Sequence, residues 1–150
     1  MHDGKPDFWD PCWACRVLAG EPVGTIVSQS AGVAILVNPF PLTAGHVLVV
    51  PRRHIENVYA LPDEIAGPVL SAASRAARAI KRTYAAEGVT LRQNNEPASD
   101  QHLFHFHLHV IPRFRGDSER FAASPVLASR AEQEAVAERL RAALAEDGAR

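Results

Sequence analysis

The sequence predicts a single domain that mixes β-strands with α-helices, and three observations support this class. The chain of 150 residues is long enough to bury one substantial core and too short for two ordinary domains. Several short apolar segments end at Gly, Asn or Pro, as strands do. Two longer segments repeat apolar residues at helical spacing. We therefore treat residues 1–150 as one domain.

The first two predicted strands are neighbours in the chain. Residues 32–38 form an apolar run that ends at an Asn-Pro turn, and residues 46–50 are rich in β-branched side chains and end before a proline. Their separation by a short Pro- and Gly-containing loop predicts a hairpin. Residues 89–93 and 103–111 are predicted as two further strands, the last of them ending at Pro112.

Two helices are predicted from apolar periodicity. The long one covers residues 62–86, and Pro68 inside it makes the first turn either a separate piece or the point of a kink. Its predicted buried face consists of Ile65, Val69, Leu70, Ala73, Ala76, Ala77 and Ile80. A surface loop is expected near residues 116–124. The second helix starts at a capping box formed by Ser129 and Glu132, and buries Val136, Leu140 and Leu144.

Charge and hydropathy exclude several classes of partner. The chain has 16 Lys and Arg against 17 Asp and Glu, so no overall field attracts it to nucleic acid or to an anionic membrane. No segment is apolar for long enough to span a bilayer, and the first residues are polar. We expect a cytoplasmic protein that binds neither nucleic acid nor membrane and holds any phosphate ligand with local groups.

The strongest chemical signal is the alternation of His105, His107 and His109 along the last predicted strand. Side chains of a strand alternate between faces, so these imidazoles share one face with Cα atoms about 7 Å apart. A polar face that happens to be His explains the pattern poorly, because the chain has only 7 His. A catalytic zinc ion held by the three imidazoles is an alternative that the pattern leaves open.

This segment, with Gln101 before it and Pro112-Arg113 after it, resembles the signature of the histidine triad superfamily. Further matches are Asn38 eight residues before His46, the segment Gly45 to Pro51, the segment His54 to Val58, and Cys12-x-x-Cys15 before Leu18-Ala-Gly-Glu21. The resemblance covers residues 12–115 and leaves residues 116–150 as a C-terminal loop and helix. It implies an α+β fold: an antiparallel sheet of about five strands, with the long helix and the C-terminal helix packed on it.

The resemblance also implies a function. It indicates a nucleotide hydrolase or transferase that acts at the α-phosphate of adenosine or other purine nucleotides, with dinucleoside polyphosphates or nucleoside phosphoramidates as substrates and no catalytic metal. His107 is implied as the nucleophile of a covalent nucleotidyl-histidine intermediate, with His109, His46 and His105 as the other catalytic residues. A neutral imidazole, with an ordinary pKa of about 6.5, is a competent nucleophile near pH 7. The family resemblance further implies a homodimer joined through the long helix and an edge strand.

The same resemblance assigns nucleotide contacts to further residues. Asn38 would bind the ribose hydroxyls, although a turn residue before Pro39 explains it equally well. Asn94 would contact the substrate near the scissile bond, and Gln101 would stand at the start of the triad strand. His107 and His109 would contact the phosphate. His102 stands where the family often has a small hydroxyl residue, which leaves the leaving group undecided.

The two cysteines are compatible with a metal site, because a cytosolic pair would stay reduced. The resemblance implies a structural zinc ion held by Cys12, Cys15, His54 and His105. The alternative is a pair of buried thiols without metal and a His105 that is hydrogen-bonded in the core. A zinc-stabilised nucleotide-binding module with little turnover is the corresponding alternative for the function.

Overall fold

A five-stranded antiparallel sheet organises the computed structural model, which describes residues 8–118 and 124–148. Its strands are β1 (Ile26–Ser30), β2 (Val33–Val37), β3 (Val47–Pro51), β4 (Gly88–Arg92) and β5 (Leu108–Arg113), in the order β1-β2-β3-β5-β4. The α-helices are α1 (Trp13–Leu18), α2 (Asp63–Tyr84) and α3 (Arg130–Gly148), and short 3-10 helices cover Val58–Ala60 and Pro97–Ser99. The predicted α+β class is confirmed.

The two central hairpin strands are buried on both faces, which is why they read as continuous apolar runs in the sequence. On one face, Ile35 and Val49 belong to the core that the sheet shares with α2 and α3. On the other face, Leu36 and Leu48 pack with Trp13 of α1. The sheet therefore separates two apolar clusters, and α1 closes the smaller one.

Helix α2 is continuous through Pro68, so its first turn is not a separate piece. Its buried stripe consists of Val69, Ala72, Ala73, Ala76, Ala79 and Ile80. The prediction that Leu70 is buried was wrong, because the following turns of the helix bury a stripe beside it and leave the Leu70 side chain 59% exposed.

The start of α3 has the predicted capping box. The Ser129 N–H donates to Glu132 Oε1 at 2.9 Å, and the Glu132 N–H donates to Ser129 Oγ at 3.1 Å. Leu140 is buried, while Val136 and Leu144 pack against the core from its margin. Of the loop predicted near residues 116–124, residues 119–123 lie outside the part of the chain that the structure describes.

The last strand begins later than predicted. Residues 103–107 precede β5, which runs from Leu108 to Arg113. Gln101 explains the difference, because its buried amide donates to the carbonyl oxygens of Glu56 and Leu103 at 2.8 and 3.1 Å and holds the chain away from the ladder. Pro112 does not end the strand either, since it lies opposite Val89 in the pairing of β5 with β4.

None of the helices in the described ranges combines the length and the apolar character that crossing a membrane requires.

The loop between β2 and β3 depends on Gly45. Its φ of +94° is in the left-handed region, and a Cβ there would lie 2.6 Å from the Tyr84 ring. We expect Gly45→Ala to lower the free energy of unfolding by about 2 kcal/mol or more, from backbone strain and the clash together. Urea titration measures this change.

The matched control is Gly88→Ala. Gly88 is the first residue of β4, and a Cβ there would have no heavy atom within 4 Å. Because Ala loses less backbone entropy than Gly in a strand, this variant should be neutral or stabilised. Equal destabilisation of the two variants would contradict the role assigned to Gly45.

Candidate functional site

The site is a cluster of three imidazoles, from His46, His107 and His109. His46 immediately precedes β3, His107 immediately precedes β5, and His109 lies in β5 opposite Leu48 of β3. The His46 and His109 ring centroids are 5.1 Å apart, and those of His107 and His109 are 5.0 Å apart. The pairing of β3 with β5 thus joins histidines that are far apart in the sequence.

His105 does not join this cluster. Its ring lies 5.1 Å from that of His54, on the side of the cysteines. Of the three histidines of the motif, only His109 lies in β5, and His105 and His107 precede the strand. The residues that alternate with them, Phe106, Leu108 and Val110, all pack against the core of α2 and α3, as the predicted alternation requires. The catalytic role that the resemblance implied for His105 stays a prediction.

A backbone carbonyl fixes the tautomer of His107. Nδ1 of His107 lies 2.7 Å from the carbonyl oxygen of His105. A carbonyl oxygen only accepts, so Nδ1 carries the proton and donates it, and the lone pair of the neutral ring is on Nε2. His107 is buried, and burial lowers its pKa, so the ring is neutral at pH 7. An imidazole in this state is a nucleophile.

A backbone amide fixes the tautomer of His46 in the opposite sense. The Leu42 N–H donates to His46 Nδ1 at 3.1 Å, so the proton of the neutral ring is on Nε2. That nitrogen donates to His109 Nδ1 at 2.9 Å. His109 therefore carries its own proton on Nε2, which is available to donate to a ligand oxygen.

Burial keeps these two histidines neutral. Desolvation, and after it the positive charges of Arg92 and His107, lower the pKa of His46 to about 3. The pKa of His109 is lowered well below its ordinary value by desolvation first, and then by the charges of His107, His46 and Arg92. The hydrogen-bonded chain consequently holds one proton per ring at neutral pH.

Asn38, the residue after β2, contacts the hydrogen-bonded pair of His46 and His109. Its Oδ1 accepts a hydrogen bond from the Phe40 N–H at 2.8 Å, which is the turn interaction expected before Pro39. Its Nδ2 lies 3.1 Å from His46 Nε2. The structure thus places Asn38 beside the histidine cluster, and its contact with ribose stays a prediction.

The other predicted nucleotide contacts lie in the loop between β4 and β5. Asn94 Nδ2 donates to the Ser99 carbonyl at 2.7 Å, and Gln101 Oε1 accepts from the Glu96 N–H at 2.6 Å. Both side chains therefore shape this loop. His102 is half-buried, and its charge contributes to the lowered pKa of His107, for which burial is the larger cause.

Four side chains form a second cluster, with spacing suited to a metal ion. The ligand atoms of Cys12, Cys15, His54 and His105 all lie within 4.8 Å of one another. His105 Nδ1 is 3.4 Å from Cys12 Sγ and 3.6 Å from Cys15 Sγ, and His54 Nδ1 is 3.5 Å from Cys15 Sγ. In the part of the chain that the structure describes, the group of His, Cys, Asp or Glu side chains close enough together to hold a metal ion is this one.

The donor chemistry of this cluster fits zinc. His105 Nε2 donates to the Pro51 carbonyl at 2.7 Å, which leaves the lone pair on Nδ1 facing the sulfurs. Two sulfurs and two imidazole nitrogens are a common tetrahedral set for structural zinc. Burial raises the pKa of the Cys12 thiol to about 11, so metal binding there would displace a proton.

Arg92 was not among the sequence predictions. It is exposed at the end of β4 and lies directly opposite His109 in the pairing of β4 with β5. No local pattern marks it, because its position beside His109 depends on a strand register that the sequence does not display.

Comparison with known proteins adds a family to this geometry. A family model described as the HIT domain matches residues 20–116. The protein named Protein hit of Bacillus subtilis is 36% identical over 112 residues, which is 75% of this chain and 77% of that protein. An adenylylsulfatase of Arabidopsis thaliana is 26% identical over 118 residues, which is 77% of this chain and 60% of that protein.

Among solved structures, a zinc-bound histidine triad family protein from Mycobacterium smegmatis is similar over 93% of this chain and 98% of its own. The TM-score is 0.80 and the sequence identity is 30%. The domain match covers more than half of the chain, and it includes the histidine cluster described above. The chain therefore belongs to the histidine triad (HIT) family.

Proposed function

We propose that this chain is a nucleotide hydrolase or transferase in which His107 attacks the α-phosphorus of a purine nucleotide. The observation that carries the proposal is the hydrogen bond from His107 Nδ1 to the His105 carbonyl, which leaves Nε2 unprotonated. A nucleophile needs that lone pair and needs the ring held in one orientation. Dinucleoside polyphosphates and nucleoside phosphoramidates are the proposed substrate classes.

The reaction proceeds in two displacements. Nε2 of His107 forms a bond to the α-phosphorus while the bond from phosphorus to the leaving group breaks, and the leaving group keeps that electron pair. Water then attacks the phosphorus and loses a proton to solvent, and the bond to Nε2 breaks to release the nucleoside monophosphate. In transfer, another hydroxyl or phosphate acceptor takes the place of water.

The neighbouring histidines stabilise charge in both steps. The intermediate carries a positive imidazolium, and the His105 carbonyl oxygen accepts from its Nδ1–H throughout. The Nε2–H of His109 donates to a nonbridging phosphate oxygen, and His46 holds His109 in the tautomer that makes this donation possible. Asn38, Asn94, Gln101 and His102 are the proposed further contacts to the nucleotide.

The first test measures the turnover of two substrates by the variant His107→Ala. We expect turnover of diadenosine triphosphate and adenosine phosphoramidate to fall at least about 10³-fold, because no other group replaces the nucleophile. In the wild type, substrate labelled at the α-phosphate should leave an acid-labile label on the peptide that contains residue 107. Mass spectrometry at alkaline pH locates it.

The control variant is Lys81→Gln, an exposed position on α2 that should keep full activity. Equal turnover by wild type and His107→Ala would refute the proposed nucleophile. Activity that a chelator abolishes and zinc restores, with no labelled histidine, would instead favour the three-imidazole zinc hydrolase.

We further propose that Cys12, Cys15, His54 and His105 hold a structural zinc ion. The distances and tautomers of the cluster support this, and so does its match to the donor set of zinc. When bound, the ion supplies a cross-link between the N-terminal segment and the chain that precedes β5. It takes no part in the chemical steps, for which His107 has its own geometry.

Metal analysis of the untagged protein should find about one zinc per chain. Cys15→Ser should lose the metal and lower the midpoint of thermal unfolding, because one soft ligand of the tetrahedral set is gone. His102→Asn, which removes an imidazole outside the cluster, should keep it. Less than half an equivalent of zinc in the wild type would contradict the site.

A homodimer is also part of the proposal. Strand β4 is an edge of the sheet, and Leu91 on it is 46% exposed. Leu70 on α2 is 59% exposed. An edge strand and apolar side chains that remain accessible are suited to contact with a second copy.

The neutral state of His46 predicts how stability depends on pH. Its pKa in the folded chain is about 3 and its ordinary value is 6.5. Below pH 6.5 the unfolded chain therefore binds a proton that the folded chain does not, and acid favours unfolding. Between pH 7 and pH 5 this one group should lower the free energy of unfolding by about 2 kcal/mol.

Urea titrations of wild type and His46→Gln at both pH values isolate this contribution. The decrease between pH 7 and pH 5 should be smaller in the variant by about that amount. Groups that do not contact His46, including the metal cluster, contribute to both proteins and cancel in the difference. Identical decreases would show that His46 is not held neutral by burial.

A further inference from the structure

One row of paired residues crosses the whole sheet and passes through His109. Consecutive Cα partners along it are Ile26, Leu36, Leu48, His109 and Arg92, on β1, β2, β3, β5 and β4. Directly paired residues of antiparallel strands share a face. The row therefore runs from apolar side chains, through an imidazole of the proposed active site, to a cation.

The apolar part of this row is closed. Leu36 and Leu48 are fully buried, and Trp13 and Val17 of α1 cover them. Beyond His109, the row continues away from α1 onto β4. Neighbouring strands lie about 4.8 Å apart, so Arg92 is within one side-chain length of a group bound at His109.

Arg92 is an exposed cation on β4. Among the residues that the structure describes, no hydrogen-bond acceptor or carboxylate pairs with its guanidinium. Arg113, the next arginine in the same region, is different, because Asp117 binds it through two hydrogen bonds of 3.0 and 2.9 Å. The carboxylate of Glu96, four positions later in the chain, is bound by the Tyr59 hydroxyl, whose pKa it raises.

The positive charge of Arg92 affects the pKa values of the clustered histidines. It contributes to the lowered pKa values of His46, His107 and His109, after desolvation as the larger cause. The charge of His102 acts on His107 in the same direction. The β4 side of the histidine cluster thus carries the positive charge of Arg92.

We propose that Arg92 is a specificity-determining residue: it binds the phosphate of an anionic leaving group, so that the chain prefers substrates from which a phosphate departs over substrates from which an amine departs. This inference rests on the proposed function. His109 contacts the α-phosphate, and the next phosphate of a polyphosphate chain falls on the side away from α1. The planar Arg92 guanidinium can donate two parallel hydrogen bonds to the oxygens of that phosphate.

The physical reason for the preference is the charge of the departing group. When the bond from the α-phosphorus to a bridging oxygen breaks, negative charge accumulates on the phosphate that leaves. A guanidinium beside that phosphate stabilises the transition state more than the ground state. An amine that leaves from a phosphoramidate gains no such stabilisation, because its nitrogen takes a proton from solvent water as the bond to phosphorus breaks and departs without negative charge.

The test compares two substrates in three variants of the full chain. Diadenosine triphosphate releases ADP, and adenosine phosphoramidate releases ammonia, so a change in the ratio of their kcat/KM values between variants reports a change in the leaving-group preference. Arg92→Gln should lower this ratio at least tenfold while kcat/KM for the phosphoramidate stays within about twofold. Arg92→Lys should recover part of the ratio, because it restores the charge without the fork.

Lys81→Gln is the matched control, since it removes one exposed charge from α2, on the other side of the sheet. It should leave the ratio unchanged. The wild-type ratio should also fall as salt rises, and that of Arg92→Gln should not. Because Arg92 is exposed and unpaired, its variants should unfold at the wild-type temperature, which separates this role from a structural one.

An unchanged ratio in Arg92→Gln, with His107-dependent activity on both substrates, would overturn this inference and leave the proposed function standing. A parallel decrease for both substrates would also overturn it, because Arg92 would then act on the α-phosphate common to both. A wild-type protein inactive on both substrates would remove the proposed function, and the inference with it.

Discussion

The hydrogen bond from His107 Nδ1 to the carbonyl oxygen of His105 is the contact on which the rest of the site depends. His105 has two functions in it. Its carbonyl sets the tautomer of His107, and its own ring is held by the Pro51 carbonyl and faces the cysteines. His105 therefore connects the cluster that fits a metal with the proposed nucleophile, so a shift of His105 would change the orientation of the His107 ring.

Burial and backbone polarity together decide which nitrogen of each ring is reactive. Burial in low dielectric removes the positive form, because the charged ring loses its hydration. The remaining choice between tautomers is made by a carbonyl at His107 and by an amide N–H at His46. Because these two backbone groups have opposite polarity, Nε2 of His107 carries a lone pair, whereas Nε2 of His46 carries a proton. The sequence of side chains alone would not distinguish them.

The sequence predicted those features whose cause is local. The apolar runs of β2 and β3 and the capping box at Ser129 depend on residues a few positions apart, and the structure has all three. Strand β1 is half polar and exposed toward its end, so it lacked an apolar run to reveal it. Helix α1 has only 6 residues and is stabilised by packing, including the hydrogen bond from Trp13 Nε1 to the Val23 carbonyl.

Features set by contacts across the fold were missed or misplaced. Gln101 delays the start of β5 through a hydrogen bond to Glu56, 45 positions earlier, and no spacing rule signals such a bond. The cluster of His46 with His109 was reached through family resemblance, because the pairing of β3 with β5 joins segments 63 residues apart. Arg92 had neither a local pattern nor a motif, and only the register of β4 revealed its position.

The order of the strands explains why this site is rigid. Strand β5 lies between β3 and β4, so the backbone of His109 is held by hydrogen-bonded ladders on both sides. His107 comes just before the strand begins, and its hydrogen bond to the His105 carbonyl holds the ring in one orientation. A fixed hydrogen-bond donor beside the proposed nucleophile is an arrangement that orients a phosphate without a large rearrangement. Because β4 is the last strand of the sheet, the same register that pairs it with β5 places the Arg92 cation opposite His109, at the margin of the proposed site.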